Sequence, residues 1–253
     1  MRTRPFLLSP LLLAIACAGA RGPTERRLPD GDPRPAAQWA TFTRDAETRR
    51  ALRGVARLSI DGPNASGSAK QILLVERPAR LRVEVLGLLD QTLALLVTDG
   101  ERYRLVRSED RSVQSGPVYD GLLAEVAGIA LSPELAVRVL LAAPTGPDAR
   151  LAGGAALSDG GLRIWMALPS PYGSLDELDF DADAHLRRWE RLGDADTTVL
   201  EARWDDWRAE GGIDFPHAVE VVDSPTGAKA ALSWSRLEVD PALDPSLFAV
   251  PAP

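Results

Sequence analysis

Alternating carboxylates form the most chemically suggestive pattern in the sequence. Asp179, Asp181 and Asp183 alternate along the chain, and Glu190 follows Asp179 by eleven residues. Carboxylates at this spacing are typical of a loop that binds calcium. The sixth position of such a loop needs a glycine for its sharp turn, but Ala184 stands there, and the sequence predicts no flanking helices. The alternation instead favours the solvated face of a strand that runs into a turn, and no metal is expected.

Other groups that could do acid–base chemistry lack suitable partners in the sequence. The two histidines, His185 and His217, lie on predicted strands, and neither has a nucleophile in a recognisable motif. The sequence contains no G-x-S-x-G elbow, phosphate-binding glycine loop or metal-binding pair of histidines. Asp205 and Asp206 could act as paired carboxylates, but acids between two tryptophans more simply mark a strand end and a turn. We therefore expect a protein that is not an enzyme and uses no cofactor.

Composition excludes several further classes of protein. The chain has 253 residues, a formal net charge of −7 and 45% hydrophobic residues, which is ordinary for a globular core. The negative charge argues against a nucleic-acid surface, because phosphate neutralisation needs clustered lysine and arginine. The single cysteine cannot form an internal disulfide, and with two histidines it cannot make a cysteine-rich zinc site.

That cysteine lies at the end of a leader. Two arginines in the first four residues precede the apolar run 5–16, and Cys17 follows. This is the form of a secretory signal peptide, and the run is shorter than the roughly 20 residues that span a bilayer as a helix. Ala14-Ile15-Ala16-Cys17 resembles the lipobox of bacterial lipoproteins, in which the cysteine receives a diacylglycerol. The alternative is an ordinary secreted protein with an incidental cysteine.

The lipobox resemblance implies three parts of the chain. Residues 1–16 would be a lipoprotein signal peptide, and Cys17 would be the lipid anchor to the membrane. Ala18 follows the cysteine, not an aspartate, which favours the outer membrane, on its periplasmic face. Residues 17–37, rich in Gly, Pro, Arg and Asp, are predicted to be a flexible tether, and 38–253 to be one domain.

Most of that domain has the pattern of short strands joined by turns, about twelve in number. Residues 79–86 alternate between apolar and charged side chains, and Asp99-Gly100 is a strong hairpin signal. Helical spacing is confined to 38–50, 117–126 and 132–141, where Ser132 and Pro133 mark a helix start. The short turns exclude the crossover helices of a parallel sheet. The predicted fold class is mainly β (α+β): a single curved antiparallel sheet with helices covering an open face.

Apolar residues on the alternating strand faces could line a cavity or fill a solid core. The sequence leaves both open, because a small barrel can be filled by its own side chains or hold one ligand. The candidate cavity residues are Leu81, Val83, Val85, Leu93, Leu95, Ile164, Met166, Trp204 and Trp234.

Several weak motifs, taken in order along the chain, resemble one known family. They are the helix with Trp39, Leu52-Arg53-Gly54-Val55-Ala56, the strand 79–85, the helical pair 122–141, Trp204-Asp205-Asp206-Trp207, Phe215-Pro216 and Leu243-Asp244-Pro245-Ser246-Leu247-Phe248. Over nearly the whole mature chain this order is similar to the LolA/LolB-like lipoprotein-localisation family, and in particular to its outer-membrane lipoprotein receptor.

This resemblance implies an incomplete, open β-barrel covered by a helical lid, with an apolar cavity that accepts acyl chains. It also implies a protruding loop that helps to insert cargo into the membrane, and Leu88 and Leu89 occupy that place. The implied partners are an acylated lipoprotein or lipid ligand and a periplasmic lipoprotein carrier. The function expected is delivery of lipoproteins or lipids to the outer membrane. The alternative is an envelope-sensing or structural lipoprotein on the same fold that transfers nothing.

Overall fold

The computed structural model describes residues 24–63, 66–169, 175–193 and 197–250. The predicted signal peptide and Cys17 lie outside the described residues. Among the described residues, no helix is both long enough and apolar enough to cross a membrane.

Fourteen strands, three α-helices and a 3₁₀ helix make up the described chain. The strands are β1 (Glu25–Arg27), β2 (Ala51–Asp61), β3 (Ser66–Glu76), β4 (Arg80–Leu86), β5 (Thr92–Thr98), β6 (Arg102–Arg107), β7 (Ser112–Pro117), β8 (Arg150–Leu157), β9 (Leu162–Ala167), β10 (Leu175–Phe180), β11 (Leu186–Leu192), β12 (Thr198–Glu210), β13 (Ile213–Asp223) and β14 (Ala228–Val239). The helices are α1 (Pro33–Glu47), α2 (Leu122–Ala127), α3 (Pro133–Leu140) and the 3₁₀ helix Pro245–Phe248.

All the strands form one antiparallel sheet, in the order β1-β8-β9-β10-β11-β12-β13-β14-β2-β3-β4-β5-β6-β7. Two series of hairpins, β2–β7 and β8–β14, join where β14 pairs with β2, as in the pair Leu232 and Leu58. The edge strands β1 and β7 do not pair with each other in the described chain, so the sheet is not closed. The prediction of a mainly β protein with a single open antiparallel sheet is confirmed.

Turn chemistry fixes the register of the hairpins. Between β5 and β6, the Asp99 carboxylate accepts hydrogen bonds from the backbone N–H groups of Glu101 and Arg102, at 2.9 and 2.8 Å. Gly100, between Asp99 and Glu101, has a φ of +102°, a conformation that glycine adopts most readily. Because side chains alternate along a strand, the register set by this turn decides which β5 residues face inward.

Helix α1 begins earlier than predicted. The Asp32 carboxylate caps it by accepting a hydrogen bond from the Arg34 N–H at 3.0 Å, and Pro33 stands in the first turn. The Arg34 guanidinium also donates hydrogen bonds to this carboxylate, and these bonds, together with that of the Arg34 N–H, lower the pKa of Asp32 to about 2. Together with β1, this start places residues 25–27 and 33–37 in regular structure, so the prediction of a tether over the whole of 17–37 is wrong for these residues. Residues 17–23 lie outside the described chain.

Aromatic side chains fill one part of the sheet's inner face. The Phe42 ring on α1 lies 5.5 Å from the Trp39 ring and 5.4 Å from the Phe180 ring. Phe180 and Trp189 are completely buried. Large rings therefore fill the space between Phe42 of α1 and the sheet.

Candidate functional site

A cavity of about 370 Å³ lies on the inner face of the sheet. Its walls come from seven strands, β13, β14 and β2–β6, and from helices α2 and α3. The described lining residues are Leu58, Ile60, Ser66, Gly67, Ser68, Ala69, Gln71, Leu73, Leu81, Val83, Val85, Ala94, Leu96, Leu105, Leu123, Val126, Ile129, Leu131, Ala136, Val139, Leu140, Val219, Val221, Ala230 and Leu232.

The register of the strands brings these side chains to one face. Val83 of β4 pairs with Leu73 of β3 on one side and with Leu96 of β5 on the other. Leu96 in turn pairs with Leu105 of β6. Because directly paired residues in an antiparallel sheet point to the same face, all of these side chains enter the cavity together.

The cavity has a closed end and a mouth. At the closed end, Leu73, Leu81 and Leu105 are almost fully buried. Toward the hairpin between β2 and β3, Ile60 is half-buried and Ser66 is exposed. The mouth therefore lies beside this hairpin, at the end of the sheet where β4 runs into its loop to β5.

Helices α2 and α3 supply the wall opposite the sheet. The hydroxyl of Ser132 accepts a hydrogen bond from the Leu135 N–H at 3.2 Å, which caps α3 as predicted. At its other end, the Trp204 indole N–H donates to the Val139 carbonyl at 3.1 Å. This bond fixes α3 to strand β12, so that Ala136 and Val139 face the cavity.

The described wall of the cavity is almost entirely apolar. None of the described lining residues is ionisable, and none is aromatic. Gln71 is the one buried polar side chain among them, and the polar Ser66 and Ser68 lie exposed at the rim. An apolar concave site with few polar groups is typical of sites for small apolar ligands.

Three of the nine residues predicted for the cavity line it: Leu81, Val83 and Val85. The prediction for Leu93 and Leu95 is wrong about the face of β5, because Ala94 and Leu96 point inward and Leu93 is 43% exposed. The run Leu93–Val97 is apolar throughout, so it carries no alternation that could reveal the inner face.

The other four predicted cavity residues are buried elsewhere in the core. Ile164 and Met166 are completely buried on β9, outside the cavity. Trp204 and Trp234 are also buried outside it, because their large rings fill the inner face beside the cavity. Sequence analysis missed the contributions of α2 and α3, although their helical spacing of apolar residues was a signal for a buried face.

The loop between β4 and β5 stands beside the mouth with two leucines at its tip. Leu88 is 102% exposed and Leu89 is 88% exposed. Within the loop, Gly87 N–H donates to the Gln91 carbonyl at 2.9 Å, and Leu89 N–H donates to the Gln91 side-chain oxygen at 3.0 Å. Asp90 also forms a 2.8 Å ion pair with Lys70 of β3. These bonds hold both leucines outward, as expected for a contact surface.

The carboxylates singled out in the sequence have local partners. Asp179 is paired with Arg163, at 2.6 Å, and Glu190 is paired with Arg188. Asp181, Asp183 and His185 have side-chain atoms within 4.8 Å of one another, a spacing that a metal ion could bridge. However, the Asp181 carboxylate accepts hydrogen bonds from two backbone N–H groups in this turn, each at 2.9 Å. These contacts explain the cluster as turn structure.

Several charged residues are buried outside the cavity, and Asp176 and Arg49 are two of them. The completely buried Asp176 binds the Arg191 guanidinium through two hydrogen bonds, of 2.9 and 3.1 Å, and the Thr145 hydroxyl donates to it at 2.8 Å. Arg49 is also buried, between the rings of Phe42 and Trp207 at 6.0 and 5.9 Å. Burial lowers the pKa of Arg49 to about 10, so it stays charged at neutral pH.

Comparison with known proteins identifies the fold. The sequence matches no protein-family model. A search of curated proteins also gives no match. Among solved structures, a DUF1329 family protein from Desulfovibrio piger is 14% identical with a TM-score of 0.60, covering 86% of this chain and 98% of that chain.

Two other solved structures have the same fold. A LolA superfamily protein from Nitrosomonas europaea is 11% identical, with a TM-score of 0.53 over 84% of this chain and 97% of its own. A domain from Vibrio parahaemolyticus, described as an outer membrane lipoprotein-sorting protein, is 10% identical, with a TM-score of 0.54. The match covers 85% of this chain and 96% of that chain. At these identities the likeness shows the fold alone: the chain has a LolA-like fold.

Proposed function

We propose that this protein is an outer-membrane lipoprotein that binds acyl chains of lipoproteins or lipids and helps to deliver them to the outer membrane. The observation that carries the proposal is an apolar cavity whose mouth lies beside two exposed leucines. The LolA-like fold and the lipoprotein-sorting description of the Vibrio parahaemolyticus domain support the same reading.

Binding follows from the chemistry of the wall. Each methylene group transferred from water into such a cavity contributes about 0.8 kcal/mol. Helices α2 and α3 form the lid in this proposal, because their apolar side chains close the wall opposite the sheet. No bond is made or broken, so the protein acts as a binding protein and not as an enzyme.

Delivery uses the loop and the anchor. Leu88 and Leu89 would enter the acyl region of the membrane and bring the mouth of the cavity to its surface. Burying their side chains there offsets the cost of keeping them in water, at about 25 cal/mol per Å² of apolar area. Lipid attached to Cys17 would hold the protein at the outer membrane, on its periplasmic face, where a periplasmic lipoprotein carrier supplies the cargo.

The binding step is tested with two neighbouring variants of β5. The full chain carrying Cys17→Ser is titrated with a fluorescent hexadecanoic acid analogue. Ala94→Phe places a ring inside the cavity, and we expect its affinity to fall at least tenfold. Leu93→Phe places the same ring on the outer face of the strand, and we expect unchanged affinity. Failure of the parent chain to bind the probe would remove the carrier function.

The delivery step is tested by transfer of the bound probe to liposomes. A Leu88→Glu/Leu89→Glu double variant should bind the probe normally but release it to liposomes at least tenfold more slowly. Leu151→Glu is the control, because Leu151 is an exposed apolar residue on β8, far from β4 and β5 in the strand order. Equal transfer by all three proteins would exclude the loop from the mechanism. Binding without any transfer would favour the sensing function.

A further inference from the structure

Gln71 is a buried polar residue in an otherwise apolar wall. It lies on β3, its side chain is part of the cavity lining, and the residue is only 5% exposed. Its paired neighbours in the sheet are Ala56 on β2 and Val85 on β4. The amide has no hydrogen-bond partner among the residues that the structure describes.

An amide in this position has a cost that a leucine would avoid. A polar group in an apolar cavity without a protein partner can form hydrogen bonds only to water or to a ligand that enters the cavity. The amide offers two donors and an acceptor with two lone pairs, and all of them are free to meet a molecule inside the cavity. The other polar side chains of the wall do not share this property, since Ser66 and Ser68 lie exposed at the rim and Ser68 bonds to Ser59 at 3.0 Å.

The position of Gln71 also limits the shape of its ligand. Seven strands line the cavity, and β3 is the central one, with β13, β14 and β2 on one side and β4, β5 and β6 on the other. At a strand spacing of about 4.8 Å, the wall extends about 14 Å across the strands on each side of β3. Apolar residues such as Leu232 and Leu105 form these two flanks.

We propose that Gln71 donates a hydrogen bond to a carbonyl oxygen of the ligand, and that the ligand is an ester or amide of fatty acids with hydrocarbon on both sides of that group. The inference rests on the proposed function, since it names the chemical class that the same cavity selects. Diacylglyceryl esters have this arrangement of one polar linkage between apolar arms. A plain hydrocarbon would leave the Gln71 amide unpaired, and an alkyl ether would offer it a weaker acceptor than a carbonyl oxygen.

A matched pair of lipids tests this selection. 1,2-Dioctanoylglycerol and 1,2-dioctylglycerol differ in their carbonyl oxygens, and each displaces the fluorescent probe from the full chain carrying Cys17→Ser. We expect the ester to bind about tenfold more tightly than the ether, as one net hydrogen bond implies. Gln71→Met keeps the length of the side chain without its amide, so the ratio should fall to about one. Gln114→Leu, on the exposed strand β7, should leave the ratio unchanged.

The outcomes separate this inference from the function on which it rests. Equal binding of ester and ether by the parent chain would overturn the role of Gln71 and leave the acyl-binding function intact. A preference that persists in Gln71→Met would also overturn it. If the parent chain binds neither of the two lipids and does not bind the probe, the proposed function itself is overturned. The comparison of ester and ether is made on the parent chain alone, so this part of the test does not depend on the folding of a variant.

Discussion

Asp176 shows how a buried charge is tolerated in this core. Its carboxylate is completely buried, and it binds the Arg191 guanidinium through two hydrogen bonds as well as the Thr145 hydroxyl. Thr145 belongs to the segment after α3, whereas Asp176 and Arg191 lie on β10 and β11. One side chain therefore connects the sheet to the segment that follows the helices lining the cavity.

Replacing this carboxylate should destabilise the fold strongly. Asp176→Ala leaves the Arg191 charge largely buried without its partner, so we expect the free energy of unfolding to fall by about 3 kcal/mol. Glu238→Ala is the control, because Glu238 pairs with Arg53 in an exposed position and should contribute under about 1 kcal/mol. Urea denaturation measures both variants. Equal losses would show that the buried pair has no special role.

Sequence pattern alone predicted neither partner of this pair. An aspartate within the predicted strand 175–180 gives no sign of which residue binds it, because Arg191 is fifteen residues away and meets it only through the β10–β11 register. The same limit applies to Arg49, whose burial depends on the fold bringing the rings of Phe42 on α1 and Trp207 on β12 close to it. Charge partners are properties of the register and the packing.

At the scale of elements, the contact between β2 and β14 depends on one glycine. A Cβ atom at Gly54 would lie 2.6 Å from the Arg236 carbonyl oxygen and 2.8 Å from the Trp234 ring. Real Cβ atoms do not approach other atoms so closely, and neither a backbone oxygen nor a buried indole can move away freely. The irregular register of β14 between Trp234 and Arg236 lies opposite this site.

Gly54→Ala should therefore weaken the centre of the sheet. We expect a loss of about 1–3 kcal/mol in the free energy of unfolding, as for other overpacked cores. Gly116→Ala on β7 should change stability by less than about 0.5 kcal/mol, since its Cβ would meet the Tyr103 ring at an ordinary 3.5 Å. Thermal unfolding of the two variants provides the comparison. A stable Gly54→Ala protein would mean that Trp234 can repack.

Elements were predictable where local chemistry defines them. Ser132 and Pro133 predicted the start of α3, and Asp99-Gly100 predicted the β5–β6 hairpin. The start of α1 was missed because prolines and charges around Asp32 resemble a tether, although Asp32 caps the helix. A cap is a local signal, but its use depends on whether the helix that follows has a surface to pack against.

At the scale of the whole molecule, the cavity joins parts of the chain that are far apart in sequence. Its wall extends from Leu58 on β2 to Leu232 on β14, with α2 and α3 between them in the chain. A ligand in this space contacts most of these elements at once. Ligand binding should therefore stabilise the fold as a unit.

This linkage is measurable by thermal unfolding. At a probe concentration one hundred times its Kd, binding should add about 2.7 kcal/mol, which raises the melting temperature by roughly 5–10 °C for a chain of this size. The Ala94→Phe variant, whose affinity we expect to fall at least tenfold, should gain at most about 1.4 kcal/mol at the same probe concentration, so its shift should be no more than about half as large. An equal shift in that variant would place the probe outside the cavity.

The sequence by itself determined the fold class, because alternation, turn residues and helix caps are local signals that fix strands, hairpins and helices. It also determined the apolar character of the inner face and the pair Leu88 and Leu89 in a loop. Only the tertiary structure decided that the aromatic residues fill one part of this face and that aliphatic residues surround a cavity at another. The reason is physical: whether apolar side chains meet or leave a space depends on register and packing across the sheet, which no local pattern contains.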